Sequence, residues 1–281
     1  MPEIHLENFD DARLGPYRNL TDRQLEVMGN RFVVEGLRRV QRLLASDFPV
    51  ESVVVAESRL QKLRPLIAEP IPLYVLPDEP LAQVVGYHIH TGILACAFRK
   101  PWPSIERMMS GAGRPATWLI CPQIKNTENL GALARISAAF GITGLLLGPT
   151  SCDPFCRRSV RVSMGTVFRL PLQKSDDLES DLRSLRDRFG VTLYAAVLAD
   201  DAEALPPIRR GATEDVGILL GHEDWGLEPG IVELCRRKVT IPMRMGTDSL
   251  NVSVAAAVFL YHFMQPAVAR VPEAADDLSD D

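Results

Sequence analysis

Apolar residues fall into two patterns along this chain. Short apolar runs, which read as strands, occupy residues 53–56, 72–76, 90–97, 117–121, 145–147, 191–198, 216–220 and 238–242. Between them the apolar positions recur three and four apart, the spacing of a helix with one buried face. Such stretches cover 59–67, 78–85, 129–140, 176–189 and 250–264. On 176–189 the stripe is Leu178, Leu182, Leu185 and Phe189. An earlier helix starts at Thr21 or Asp22, either of which can cap it, and another runs to Leu44. Strand alternating with helix predicts an α/β fold with a mostly parallel sheet covered on both faces.

Residues 100–115 are rich in Pro and Gly and read as a linker. They divide the chain into an N-terminal α/β unit, 1–99, and a larger unit, 116–271. The last residues, 272–281, are acidic and are expected to be disordered.

One stretch organises the larger unit. The run at 216–220 is continuously apolar, as in a strand covered on both faces, and it opens into Gly221-His222-Glu223-Asp224-Trp225-Gly226-Leu227. The two glycines let this loop turn sharply and let its backbone approach a ligand. A short strand ending Ile241-Pro242-Met243 follows, and then Ser249-Leu250-Asn251-Val252-Ser253-Val254-Ala255, the start of an apolar helix. In an open α/β sheet, ligands bind in the crevice beyond such strand ends.

Composition narrows the field. An apolar fraction of 46% is that of a globular domain, and no apolar stretch reaches the ~20 residues needed to span a bilayer. The acidic opening Met1-Pro2-Glu3-Ile4-His5 lacks the apolar core of a secretory signal, so a cytoplasmic location is expected. The five cysteines are scattered, and the one close pair, Cys152 and Cys156, has no histidine beside it. Reduced, packed thiols and no metal are the expectation. The net charge of −5 does not suggest a nucleic acid. Five of the acidic residues (Glu273, Asp276, Asp277, Asp280, Asp281) lie in the tail, and removing them from 36 leaves 31 acidic against 31 basic. A neutral body can still present a basic face. Arg157, Arg158 and Arg161, with Arg169 beyond, are the densest basic group of the larger unit.

The sequence also resembles a known family. Leu220-Gly221-His222-Glu223-Asp224-Trp225-Gly226-Leu227 is similar to the second motif of the SpoU (TrmH-class) RNA ribose methyltransferases, and Ile241-Pro242-Met243 with Ser249 to Ala255 to the third. Asn129-Leu130-Gly131-Ala132-Leu133-Ala134-Arg135 stands upstream as the first. Phe32-Val33-Val34-Glu35-Gly36 and His90-Thr91-Gly92-Ile93-Leu94-Ala95 resemble the small RNA-binding domain many such enzymes carry. The plainer alternative for that unit is a dimerisation or stability module.

The resemblance implies a trefoil-knotted SPOUT domain, which no general rule of folding would suggest. It further implies a homodimer, S-adenosylmethionine as cofactor, and transfer of its methyl group to a ribose 2′-oxygen of structured RNA. Ribosomal RNA is favoured and transfer RNA is the alternative. A catalytically silent RNA-binding protein on the same fold is the rival reading. A dehydrogenase is disfavoured because no Gly-x-Gly-x-x-Gly fingerprint occurs.

The site residues follow from that resemblance. Asn129, Arg135, Glu223, Ser249 and Asn251 are expected to be catalytic, and Leu220, Gly221, Ile241, Met243, Ser249 and Leu250 to hold the cofactor. Each has a plainer reading. Asn129 can cap the helix that follows it, and Ser249 can cap the last helix, which leaves Asn251 without that role. On a helical wheel Leu133, Ile136, Ser137 and Phe140 form the core stripe, while Arg135 shares a side with Gly131, Ala138 and Ala139, where a nucleotide or a partner subunit can approach. Arginine scarcely deprotonates in proteins, so Arg135 is expected to hold a phosphate and stabilise the oxyanion, with the proton's recipient left open. His222 and Trp225 read as structural. Arg157, Arg158 and Arg161 are expected to track phosphates. A face of Ser253, Ala256, Ala257 and Leu260 on the last helix suggests close packing across a dimer.

Overall fold

The computed structural model describes residues 3–7, 10–18, 21–27, 29–78, 92–245, 247 and 249–264. Most of the helix expected at 78–85 and the whole of the acidic tail lie outside these residues.

In the N-terminal unit, apolar strands β2 (Arg31–Glu35), β3 (Val50–Ala56), β4 (Leu73–Leu76) and β5 (Ile93–Phe98) form the body of a sheet. The polar strand β1 (Glu3–His5) joins its edge, giving the order β1-β4-β3-β5-β2. β5 runs antiparallel to both β2 and β3, whereas β4 is parallel to β3 and β1. Among the described residues the helices are α1 (Asp22–Val27), α2 (Leu37–Leu44) and α3 (Leu60–Leu63). Thr21 begins α1 with a reciprocal cap: its hydroxyl accepts from the Gln24 N–H at 3.2 Å, while the Gln24 side chain accepts from the Thr21 N–H at 2.8 Å.

Residues 100–115 are more than a linker. Ser104 caps α4 (Ile105–Ser110), which buries Ile105, Met108 and Met109 against the larger unit. The abundance of Pro and Gly masked the helical spacing of those three apolar residues.

The larger unit is a seven-stranded parallel sheet. Its strands are β6 (Thr117–Cys121), β7 (Gly144–Leu147), β8 (Leu172–Lys174), β9 (Thr192–Ala196), β10 (Glu203–Ala204), β11 (Val216–Leu220) and β12 (Arg237–Thr240), in the order β10-β12-β9-β11-β6-β7-β8. β11 is buried throughout, with β6 on one side and β9 on the other. The chain proceeds outward from β6 through β7 to β8, then returns to build the other half beyond β11. The order therefore reverses between β6 and β11, and crevices open at such a switch point.

Five helices flank this sheet from α5 onward: α5 (Thr127–Phe140), α6 (Arg157–Val162), α7 (Leu178–Arg183), α8 (Pro229–Glu233) and α9 (Val252–Met264). α5 follows β6, packs on both α6 and α9, and ends at Gly141 in the left-handed conformation, φ 61°.

The two units share one apolar core. Phe32 stacks on Phe155 at 5.2 Å and on Phe168 at 5.8 Å, while Phe48 meets both rings edge-on. Arg99 closes the junction with two 2.7 Å hydrogen bonds to Asp153, its guanidinium lying against the Phe155 ring. Arg157 reaches back to Asp22 on α1 at 3.2 Å.

Candidate active site

The first and second motifs leave the sheet from neighbouring strands. β6 leads into the loop before α5, and β11 leads into the Gly221–Leu227 loop. Gly221 is required there by its neighbours, because a Cβ at this position would lie 2.3 Å from the Gly226 carbonyl carbon. Gly226 takes a positive φ of 73°, and the loop closes on itself through paired hydrogen bonds between His222 and Gly226, 2.9 and 3.0 Å. His222 is buried and stacks flat on Trp225, which is 59% exposed at the cleft mouth.

Asn129 stands in the third position of α5. The cap is Asn126, whose side-chain oxygen accepts from the Glu128 N–H at 2.8 Å. This corrects the capping alternative for Asn129 and frees its amide. Its Nδ2 donates to the Glu223 carboxylate, and its Oδ1 accepts from Asn251 Nδ2 at 3.0 Å. Asn251 in turn caps α9, its Oδ1 accepting from the Ser253 N–H at 2.9 Å and from the Ser253 hydroxyl at 2.6 Å. This removes the capping alternative for Ser249. Ser249 is exposed on the cleft wall. One hydrogen-bonded chain, Glu223–Asn129–Asn251–Ser253, thus ties together three segments far apart in sequence.

Beside this chain lies a cleft of about 660 Å³. Leu220, Gly221, Ile241, Met243, Ser249 and Leu250 all line it, as do Glu223 and Asn251. Sequence reading missed the wall supplied by the end of β9, Ala196 to Leu198, and the floor supplied by Ala255 and Phe259 on α9. Trp225, read as structural, also borders the cleft. A signal was present for the floor, since Ala255 and Phe259 lie one turn apart on an apolar helix. Met243, Ser249 and Leu250 belong to neither helix nor strand, so their peptide groups are not committed to a ladder. Volume, mixed apolar and polar walls and uncommitted peptide groups suit a nucleoside-bearing cofactor. Among the described residues no cluster of three or more His, Cys, Asp or Glu could hold a metal ion.

Arg135 is exposed on α5 and lies outside the cleft lining. It makes no hydrogen bond or ion pair among the described residues. The expectation that small neighbours would open its surroundings fails at Gly131, which α6 covers. A Cβ there would meet Val162 Cβ at 2.7 Å and the Ser159 carbonyl oxygen at 2.8 Å. Arg157 and Arg158 are engaged in ion pairs, with Asp22 and Glu128 respectively, while Arg161 is exposed. The Ser253, Ala256 and Leu260 face of α9 is buried within this chain, with α9 packed against α5, so it is not the dimer face suggested by the sequence.

Electrostatics around the site are mild. Burial pushes the Cys121 thiol far up, and the neighbouring Glu223 charge adds to the effect. Burial also raises Cys152 and Cys235 to about 12, and all five thiols are free. No helix among the described residues is long and apolar enough to cross a membrane.

The chain is similar to known proteins. A family model described as the SpoU rRNA Methylase family matches residues 116–261. An uncharacterised tRNA/rRNA methyltransferase of Mycobacterium tuberculosis is 34% identical over 258 residues, covering 90% of this chain and 88% of the relative. The 23S rRNA (guanosine-2′-O-)-methyltransferase RlmB of Acinetobacter baylyi is 29% identical over 212 residues, 73% of this chain and 83% of its own. The AdoMet-bound rRNA methyltransferase of Sinorhizobium meliloti superposes with a TM-score of 0.80 at 18% identity, over 95% of this chain and 99% of that one, a likeness of fold.

Proposed function

The chain belongs to the SpoU rRNA methylase family, and from that membership we propose that it transfers a methyl group from S-adenosylmethionine to the 2′-oxygen of one ribose in structured RNA. The observation that carries the reading is the Glu223–Asn129–Asn251 chain beside the cleft. A carboxylate, two amides and an apolar cleft held in one fixed arrangement can position a ribose against a bound sulfonium compound.

S-adenosylmethionine, when bound, supplies an electrophilic methyl group. Ile241, Met243 and Leu250 offer apolar contact for its adenine, and the peptide groups of the same wall offer hydrogen bonds to its edge. Asn129 fixes the Glu223 carboxylate by donating to it, so Glu223 can accept from a ribose hydroxyl in a set orientation. Ser249, exposed on the wall, adds a hydroxyl to the same space. Among the described residues Arg135 carries no carboxylate partner, which leaves its guanidinium available for the phosphate beside the reacting ribose and for the developing oxyanion.

Ribosomal RNA is the favoured substrate. Relatives named 23S rRNA 2′-O-methyltransferases include RlmB of Acinetobacter baylyi and RlmP of Bacillus subtilis. Transfer RNA is the alternative, in keeping with the tRNA/rRNA naming of the Mycobacterium relative. The protein acts in the cytoplasm as a homodimer in this reading. Val254, Val258 and Tyr261, four and three residues apart on α9, are 48%, 36% and 61% exposed and form the apolar stripe a second copy would cover. The sheet order β9-β11-β6, with the later strand between two earlier ones, supports the knotted threading of the family.

The test is transfer of labelled methyl groups to unmodified ribosomal and transfer RNA by wild type and by Glu223→Gln. Transfer by wild type with a large loss in the variant is expected. RNA binding without any transfer would favour the silent binding protein.

A further inference from the structure

The domain junction holds a second cavity, about 310 Å³, bordered by Arg42 of α2, Arg169, and Ser137 and Ala138 near the end of α5. Its chemistry is that of an anion site. Arg42 donates to the Met164 carbonyl at 2.6 Å and Arg169 to the Ala45 carbonyl at 3.4 Å, and neither makes an ion pair among the described residues. The Ser137 hydroxyl is fully buried with no hydrogen-bond partner. Two exposed guanidinium groups that border one cavity without a carboxylate partner suit an anionic occupant.

The surroundings add positive charge. Arg39, one turn before Arg42, lies over Gly165, where an added Cβ would come 3.4 Å from the Arg39 Cα. Burial lowers the pKa of Arg39, and the nearby Arg161 lowers it further while Glu35 offsets part of the effect. Elsewhere the arginines of this junction find carboxylates: Arg99 pairs with Asp153, Arg157 with Asp22 and Arg158 with Glu128.

Its place relative to the site is set by α5. Nine residues separate Asn129 from Ala138, about 14 Å along the helix at 1.5 Å per residue. Arg135 lies one turn before Ala138 on the same side.

We propose that this junction cavity is a phosphate-binding subsite that grips the backbone of the substrate RNA away from the reacting ribose, using Arg42 and Arg169 from the two units at once. The ligand chemistry is a phosphate oxyanion, and its identification as RNA rests on the methyltransferase reading above. Because the shared aromatic core fixes the two units together, the subsite acts as a ruler that sets which nucleotide reaches the cleft.

The test uses full-length wild type, R42A/R169A and R42K/R169K. Affinity for an unmodified ribosomal RNA fragment is measured across salt, together with S-adenosylmethionine affinity and binding of inorganic phosphate. Loss of two phosphate contacts should flatten the log–log salt slope by about 1.4–1.8, so wild type loses roughly tenfold more affinity than the alanine variant between ~50 and ~200 mM salt. The lysine variant should keep the slope, and all three should bind S-adenosylmethionine alike. An alanine variant with the wild-type slope would overturn the subsite while leaving the methyltransferase reading intact. Loss of inorganic phosphate binding without a change in RNA slope would make the cavity a free-anion site and overturn it too. A lysine variant as weak as the alanine one would assign the loss to packing. A flattened slope in a protein that transfers no methyl group would support the subsite and remove the enzyme reading instead.

Discussion

Asn129→Asp is the sharpest perturbation of the site. The substitution keeps size and shape, and it keeps the oxygen that accepts from Asn251 Nδ2 at 3.0 Å. What changes is the other branch: the amide that donates to Glu223 becomes a second carboxylate facing the first. Losing a hydrogen bond to a charged group costs about 1.5–3 kcal/mol. Repulsion between like charges near 4 Å adds about 1 kcal/mol in a water-like medium, the appropriate limit because Glu223 is exposed. Taken together, a loss of about 2.5–4 kcal/mol in transition-state positioning corresponds to a fall in kcat/KM of roughly seventy- to ninehundredfold. Lowering the pH from about 8 to about 5 should return part of the activity, since one shared proton converts the repulsion into a hydrogen bond. The assay is labelled methyl transfer at both pH values, with S-adenosylmethionine affinity by calorimetry as a control that should stay unchanged. Activity within threefold of wild type at the higher pH, or an equal deficit at both, would refute the role given to the Glu223–Asn129 contact.

Further predictions concern the scaffold. Gly131→Ala should cost about 1–3 kcal/mol, because Val162 and the Ser159 carbonyl leave no room for a methyl group; a melting temperature within a degree of wild type would count against that packing. Tyr17 is buried, donates to the Ser52 carbonyl at 2.9 Å and accepts from the Cys96 N–H at 3.1 Å. Tyr17→Phe should therefore lose about 1–3 kcal/mol in chemical denaturation, and an unchanged midpoint would argue against it. The Glu51 carboxyl is held below its usual range chiefly by hydrogen bonds from Arg31. A depressed folded-state pKa gives stability that is full above the unfolded value, about 4.3, and lost as pH falls through the folded one. Glu51→Gln should accordingly be less stable than wild type at neutral pH and should approach it in acid, as urea titrations across pH would show.

Legibility in the sequence depended on how local the determining forces were. Strands 117–121 and 216–220 could be read to the residue, because unbroken apolar runs admit one solution when both faces are covered. The strand at Glu3–His5 carries no such pattern, since its place is set by pairing with Tyr74 and its neighbours some seventy residues away. α6 was hidden behind its own arginines. In sequence they form a basic cluster, and the tie from Arg157 to Asp22 spans 135 residues with no local trace. At the site, the motifs told which residues matter but not how they divide the work. Whether Asn129 caps α5 or lies inside it turned on Asn126, one turn earlier, and that choice is what frees the Asn129 amide for Glu223. Ser249 and Asn251 competed for one capping role, and the helix start at Val252 decided it. The docking of the two units rests on four phenylalanines from distant segments, which periodicity identifies as apolar but cannot pair.

The central claim is that the chain methylates a ribose 2′-oxygen, and the most direct test is to locate the methyl group after reaction. Unmodified ribosomal and transfer RNA would be incubated with labelled S-adenosylmethionine and full-length protein, then hydrolysed in alkali. A methylated 2′-oxygen blocks cleavage of the adjacent phosphodiester, so the account predicts label in alkali-resistant dinucleotides from one position in one RNA. Label released in ordinary mononucleotides would mean methylation of a base, and no label at all from protein that binds both RNA and cofactor would mean the site does not catalyse the reaction. Either result would contradict it.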